Sequence, residues 1–376
     1  MVGATVSMDC NDRPVAEVAD ELADLAADAL ETNPFFSPPL LRPALRLLAN
    51  DGVRPIIVRD KGGAPIAFAP LRPQRGYSRL PVRYVATWMH DHCFFGAPLI
   101  RKGCEREAFC GLFAAADKLG AFLRLASLDA DGALYASAAQ AAEADGRKSS
   151  PSGRYQRAML RGGFDAEATL NAALPGKKRK ELRRQMNRLA DAGAVAFEAL
   201  SSAVELDSWT EQFLKLEASG WKGRAGTAFA SQPAHAEFLR EALRRAHEAG
   251  SLQFCRLSSG GAPVAMIINF IERGNAYSFK IAYDETYARL SPGVLLEIEL
   301  LHALAARADL KFIDSCAQAD HPMIDSIWRE RRAIVALNVS HRDIAGKLVF
   351  KVLTSLERAA EKNRMRNKSR TEGGAL

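Results

Sequence analysis

Residues 54–68 read RPIIVRDKGGAPIAF, and residues 252–266 read LQFCRLSSGGAPVAM. Each is a short β-type run, a Gly-Gly turn (Gly62-Gly63 or Gly260-Gly261), then Ala-Pro and a second β-type run. The glycines supply the positive φ of a tight hairpin turn, and a proline can open the returning strand without disrupting it. The same hairpin is written twice.

Working outward, the flanks are parallel as well. After the first hairpin come a third apolar run (Val82 to Trp88), a Gly-Ala-Pro-Leu segment at Gly96–Leu99, a helix near Arg106–Lys118 and a strand at Ala121–Leu128. After the second come Ala276–Tyr283, Ser-Pro-Gly-Val at Ser291–Val294, a helix from about Gly293 to Arg307 and a strand at Leu310–Ser315. Strand, strand, strand, helix, strand therefore recurs about 200 residues on, the mark of a duplicated domain. The polar stretch GRKSSPSG at Gly146–Gly153 reads as the linker. The expected organisation is an N-terminal domain over 1–153, a C-terminal domain over 154–345, and a tail over 346–376. That tail is expected to be helical at Gly346–Asn363 and disordered at its end. Further helices fit Lys177–Ala192, Asp207–Ser219 and Ala234–Ala249. The fold class is mixed α/β.

Composition bounds the function. The chain has 376 residues, 48% hydrophobic and 25% charged, so it carries enough apolar mass for two cores. No run approaches the roughly 18 apolar residues of a membrane span, and the start lacks a basic-then-apolar secretory pattern. A cytoplasmic location follows as the expectation, with peripheral contact to an inner membrane left open. Six scattered cysteines, with no Cys-x-x-Cys pair, read as reduced and mostly buried thiols. The net charge of +7 concentrates at Lys177–Arg188 and from Arg358 to Arg370. It suits phosphate-bearing ligands, nucleic acid or an anionic surface, among which composition does not choose.

The segment AYSFKIAYDETYARLSPGVLLEIELLHAL, followed by KFIDSCAQADHPMIDSIW, resembles the C-terminal half of the cellulose-biosynthesis (CelD-type) branch of GNAT acetyltransferases. That branch is related in fold to the Fem-type peptidyltransferases. The resemblance extends to NPFFSPPLLRPAL and HDHCFFGAPLI and is strongest from Glu217 to Arg332. It implies two tandem GNAT-like domains, the first degenerate, and acyl transfer from acyl-CoA, acetyl-CoA or an acyl-carrier protein to an amine in envelope polysaccharide or lipid biosynthesis. A Fem-like transfer from charged tRNA, or a non-catalytic binding module, is the alternative; nucleic acid is not the partner expected first. The oligomeric state is not legible.

The residues themselves support a donor site. Arg289-Leu-Ser-Pro-Gly293 leads from a strand into a helix, whose open N–H groups and positive end suit a pyrophosphate. Proline is tolerated in that first turn, Gly293 allows close approach, and Arg289 adds a charged contact. The resemblance adds Ser291, Val294 and Leu295 to this loop, though the sequence reads Arg-x-x-x-Gly rather than the GNAT Arg/Gln-x-x-Gly-x-Gly/Ala. It also implies that the strand bearing Lys280, Ile281, Ala282 and Tyr283 splays from its neighbour to polarise the acyl carbonyl. Lys280 points either to solvent or into the cleft, pairing there with Asp314 or Asp284.

An attacking amine must lose a proton, and Asp314, at a strand end, and His321, in the following loop, are the candidate catalytic residues. Their alternatives are a structural carboxylate and a loop histidine supporting Pro322. Trp221 and Lys222, in a Gly-rich stretch, are substrate-cleft candidates, with Trp221 otherwise a plug between domains. His90-Asp91-His92-Cys93 lacks further ligands at zinc spacing, so no metal is expected, and His92 is assigned to an acceptor groove. The basic helix at Lys177–Arg188 is a solvated face unless it meets phosphates, a membrane or RNA.

Overall fold

The computed structural model describes residues 5–7, 15–50, 52–77 and 80–357. They form two compact units. The first draws on residues 1–36, 50–155 and 333–376, the second on 37–49 and 156–332. The expected boundaries at 153 and 345 follow chain order; the units do not, because two segments pack away from their sequence neighbours.

In chain order the elements begin with Thr5–Ser7 (β1), Val15–Ala27 (α1) and Pro38–Leu47 (α2). Helix α2 buries Leu40, Leu41, Ala44 and Leu45 and packs on the helix Pro233–Glu248, which places 37–49 in the second unit. The first hairpin is Arg54–Arg59 (β2) against Pro65–Tyr77 (β3), with Ile57 opposite Phe68. Its turn is held by Asp60, whose carboxylate accepts from the Gly62 and Ala64 amides at 2.8 and 2.9 Å. Leu80–Thr87 (β4), Leu99–Ile100 (β5), Glu105–Asp117 (α3), Phe122–Asp129 (β6) and Ala133–Ala144 (α4) follow.

The expected linker is instead the start of a strand, Ser149–Arg161 (β7). GRKSSPSG is polar, but Ser150 and Ser152 are buried between exposed neighbours, the alternation of a strand with small inward side chains.

The second unit continues with Ala166–Ala173 (α5), Gly176–Asp191 (α6), Val195–Ala199 (β8), Ala203–Ser219 (α7), Trp221–Arg224 (α8) and Pro233–Glu248 (α9). The second hairpin is Leu252–Ser259 (β9) with Ala262–Glu272 (β10), then Asn275–Tyr283 (β11), Pro292–Ala305 (α10), Phe312–Asp314 (β12) and Ile324–Ile327 (α11). Glu330–Ser340 (β13) leaves this unit and pairs antiparallel with β6 of the first.

Strand order is β1-β2-β3-β4-β6-β13 in the first unit and, with the 156–161 part of β7, β7-β12-β11-β10-β9-β8 in the second. Each contains one parallel pair, β4 with β6 and β11 with β12, joined through a helix. The repeat read from the sequence is thus a repeat of topology. Strand β10 is buried continuously from Val264 to Phe270, the run expected of a strand covered on both faces. Helix α10 seals that core with Leu295, Leu296, Leu300, Leu301 and Leu304. Burying each such leucine contributes about 1.5–3 kcal/mol. In the first unit, residues 344–357 are helical and set Phe350 and Leu353 on Tyr77 and Phe122. The rest of the expected tail lies outside the described residues.

Of the five described cysteines, Cys93 and Cys255 are buried and Cys104, Cys110 and Cys316 are partly exposed. No helix among the described residues is long and apolar enough to cross a membrane.

Candidate functional site

Strands β11 and β12 are joined at three registers only, Asn275 with Phe312, Ala276 with Ile313 and Tyr277 with Asp314. Past Tyr277, β11 runs on to Tyr283 while β12 stops, so the two part as a splayed pair. On its other edge β11 stays paired with β10 as far as Tyr283. The register shifts there, with Lys280 opposite Ile268 and Ser278 opposite Asn269, so Phe279 is an extra residue in the strand. Such a bulge breaks the alternation of faces. The Lys280 ammonium lies over the rings of Phe229 and Phe279, at 5.4 and 5.8 Å.

From Tyr283 the chain passes through a 3-10 turn, Glu285–Leu290, to Ser291 at φ 52° and enters α10 through Pro292. The Ser291 carbonyl accepts from the Val294 and Leu295 amides at 2.9 and 3.1 Å, so those two expected donor contacts are already engaged. The Gly293 amide has no backbone acceptor among the described residues, and the residue itself is buried. A methyl added at Gly293 would stand 3.6–3.7 Å from Tyr283, Ile281 and Met323, so the helix start sits over the end of the splayed strand. Arg289 is exposed, and its carbonyl accepts from the Gln185 side chain at 3.2 Å. That bond ties α6 to the turn. Helix α6 buries only Leu182, Gln185 and Leu189 and turns Lys177, Lys178, Lys180, Arg183, Arg184 and Arg188 outward.

Trp221 and Lys222 lie on α8, a helical turn rather than a loop. Glu285 pins it to the 3-10 turn, accepting from the Trp221 amide at 2.6 Å and from Arg224 at 2.7 Å. The Trp221 ring is 55% exposed. The Lys222 ammonium donates to Glu217 at 2.9 Å and to the Ile281 carbonyl at 3.2 Å, while Glu217 also accepts from the Phe229 amide. Lys222 thus grips the backbone of the splayed strand.

Asp314 stands at the apex of the splay. It is wholly buried, with Arg157 at 2.6 Å, Arg332 at 2.7 Å and the Cys316 amide at 2.8 Å. Although burial opposes ionisation, the two guanidiniums and these hydrogen bonds hold its pKa below the usual carboxylate range. Such a carboxylate is a weak proton acceptor. This favours the structural alternative for Asp314 over the catalytic one. His321 is partly buried in the loop after β12, where its Nδ1 accepts from the Ile324 amide at 3.5 Å.

The sequence reading passed over Glu297. It lies four residues after Gly293 on the buried face of α10, 3% exposed, with Oε2 lacking a hydrogen-bond partner. Burial alone pushes its pKa up to about 8. The available signal was a carboxyl at a core position of an apolar helix. A separate cavity of about 210 Å³ lies against the outer side of α10, lined by Leu170, Leu182, Met186, Leu295 and Ile298 with Arg183 and His302 among its polar residues.

The corresponding place in the first unit is built differently. Strands β4 and β6 pair at Val85–Leu123 and Ala86–Arg124, and then Thr87 bridges the gap. Its hydroxyl accepts from the Ala126 amide at 2.7 Å and donates to the Arg124 carbonyl at 3.4 Å. Beyond it, the Gly96 amide donates to Ser127 and the Ser127 hydroxyl to the Phe94 carbonyl. The approach is so close that a methyl at Gly96 would fall 2.3 Å from the Ala126 carbonyl oxygen. Helix α3 begins with Glu105 and Glu107, and Glu105 caps the Gly103 amide at 2.9 Å. Acids in the first turn repel a phosphate. His92 is buried in this unit, and the His90 and His92 rings meet edge to face at 6.0 Å.

Residues 176–321 match the family model described as Acetyltransferase (GNAT) domain. The fold is that of the GNAT acyltransferases. The match begins at α6, so the basic helix belongs to the GNAT domain, and ends at His321. The C-terminal domain of a candidate lysylphosphatidylglycerol synthetase from Agrobacterium fabrum is similar in structure at 14% identity and TM-score 0.55, over 91% of this chain and 96% of that one. FemX is similar at 10% identity and TM-score 0.54, over 90% and 97%. A conserved protein of unknown function from Bacteroides thetaiotaomicron is similar at 13% identity and TM-score 0.55, over 90% and 100%. These likenesses concern the fold. No curated protein matches the chain by sequence.

Proposed function

We propose that the chain is an N-acyltransferase whose second unit binds an activated, phosphate-bearing acyl donor at the start of α10 and passes the acyl group to an amine. The observation that carries this is the parting of β11 from β12 directly beneath a helix start free of acidic residues. The Gly293 amide, the helix dipole and Arg289 suit the phosphates. The freed edge of β11 suits the acyl carbonyl, where oriented N–H groups stabilise the developing oxyanion. Lys222 fixes that edge by holding the Ile281 carbonyl.

The attacking amine, with a pKa of about 10, must first shed a proton. Asp314 anchors the apex, and Glu297 is the group suited to take the proton. Burial keeps its carboxyl mostly neutral at pH 7, so it takes the proton only in its ionised fraction, and transfer should rise as pH passes about 8. Trp221 and His321 are assigned to the acceptor side. The preferred donor is acyl-CoA or an acyl-carrier protein, and the acceptor an amine of an envelope polysaccharide or lipid, in keeping with the cellulose-biosynthesis branch. The exposed cationic face of α6 favours one other reading, an aminoacyl-tRNA donor laid along that helix.

A thermal-shift comparison separates the two. A ligand at 100 times its Kd adds about 2.7 kcal/mol, a readily measured rise in Tm. Stabilisation by coenzyme A or acetyl-CoA, lost in Gly293→Val, is expected. A response to charged tRNA alone transfers the donor role to the second reading, and a response to neither contradicts both.

A further inference from the structure

The helix at residues 344–357 has two apolar faces. One holds Phe350 and Leu353, 4% and 2% exposed, in the core of the first unit. The other carries Ile344, Leu348, Val352 and Leu356, spaced by four, at 77%, 60%, 58% and 47% exposure, with Val349 beside them at 40%. Spacing by four aligns side chains along one side of a helix. Over this length the stripe extends about 18 Å at 1.5 Å per residue. Elsewhere among the described residues, large apolar side chains this exposed are the separate Val204 and Trp221. A continuous exposed stripe marks an interaction surface, whereas isolated exposed apolar residues need no explanation.

The charges around the stripe select its partner. Lys347 and Lys351 border it on one side of the helix. From Arg342 to Arg370 the sequence holds nine Lys and Arg against three Asp and Glu, most of the chain's net +7. An apolar stripe with a cationic border is the arrangement that lies in the headgroup region of an anionic bilayer, apolar side down. We propose that the 344–357 helix is a peripheral membrane-docking element that inserts Ile344, Leu348, Val352 and Leu356 between anionic lipids, with Lys347 and Lys351 on their headgroups. The partner is a lipid surface. A second copy of the chain would bring like charges together.

Co-sedimentation of the full-length protein with vesicles tests this. Vesicles of phosphatidylcholine with about 30% phosphatidylglycerol should bind it, vesicles of phosphatidylcholine alone far less, and higher salt should weaken binding. Leu348→Ser with Val352→Ser should lower affinity at least tenfold with Tm unchanged or raised, since both side chains already face solvent. Lys347→Glu with Lys351→Glu should lower affinity for the anionic vesicles about tenfold or more, because each cation near such a surface contributes. The proposal is overturned if the wild type does not bind anionic vesicles or if the Ser variant binds as well as the wild type. It is equally overturned if sedimentation velocity shows a dimer that the Ser variant dissolves and vesicle binding is absent.

Discussion

Two copies of one topology have reached opposite ends. In the second unit the parallel strands part beneath a helix that opens with Ser-Pro-Gly, and Asp314 stands at the apex between Arg157 and Arg332. In the first unit the corresponding gap is crossed by the Thr87 hydroxyl and lined by the Gly96 segment, under a helix that opens with two glutamates. The lesson is that the fold does not make the site. The same strand-helix-strand unit is left parted or is self-filled according to a few residues at the strand ends and the first turn of the helix.

Removing what holds each apex should give the largest effect. Asp314→Asn removes the buried negative charge that Arg157 and Arg332 share, a loss of about 3–5 kcal/mol by urea denaturation. Thr87→Val leaves the Ala126 amide unpaired and should cost about 1–3 kcal/mol. The Asp314 contribution has a defined pH course. Its folded pKa is lowered, so the stability is fully present above the unfolded value and is lost as pH falls through the folded one. The gap between wild type and Asp314→Asn should therefore close only in acid. Equal losses from the two variants would erase the contrast between a charged and a neutral apex.

The two glycines come next. At Gly293 an added Cβ meets only side-chain ends at ordinary contact distance, and the branch methyls of Gly293→Val press on those mobile ends, so donor affinity should fall at least tenfold in the folded protein. Gly96→Ala drives a methyl into the Ala126 carbonyl, so it should lower Tm and leave donor affinity unchanged in the fraction that stays folded. The reverse outcome would exchange the roles of the two units.

Glu297 governs a further change of stability with pH. Its folded pKa is raised to about 8, so its contribution is complete below the unfolded value and is lost as pH rises through the folded one. Glu297→Leu should therefore gain on the wild type in Tm from pH 5 to pH 8, while transfer falls. A stability gap independent of pH would mean that the carboxyl is not held neutral by burial.

Much of this contrast was legible beforehand. The Gly-Gly hairpins, α6 and α10 declare themselves through turn chemistry and periodicity, which are local. The splay of β11 came from the resemblance, and the strand ends agree with it. What escaped was long-range or a matter of one residue. At Asp314 the sequence leaves a catalytic and a structural role open, because its partners lie 157 residues before it and 18 after. The extra residue at Phe279 shifts the faces of β11, which alternation alone cannot register. Ser150 and Ser152 hid β7 because small polar side chains were taken for a linker. The partners of α2 and β13 were chosen by apolar faces and strand edges distant in sequence, so the units could not follow chain order.

Isothermal titration of the protein with coenzyme A counts its donor sites. One site per chain, abolished by Gly293→Val and unchanged by Glu105→Gln, is the predicted result. Two sites per chain, none, or a single site indifferent to Gly293→Val would contradict it.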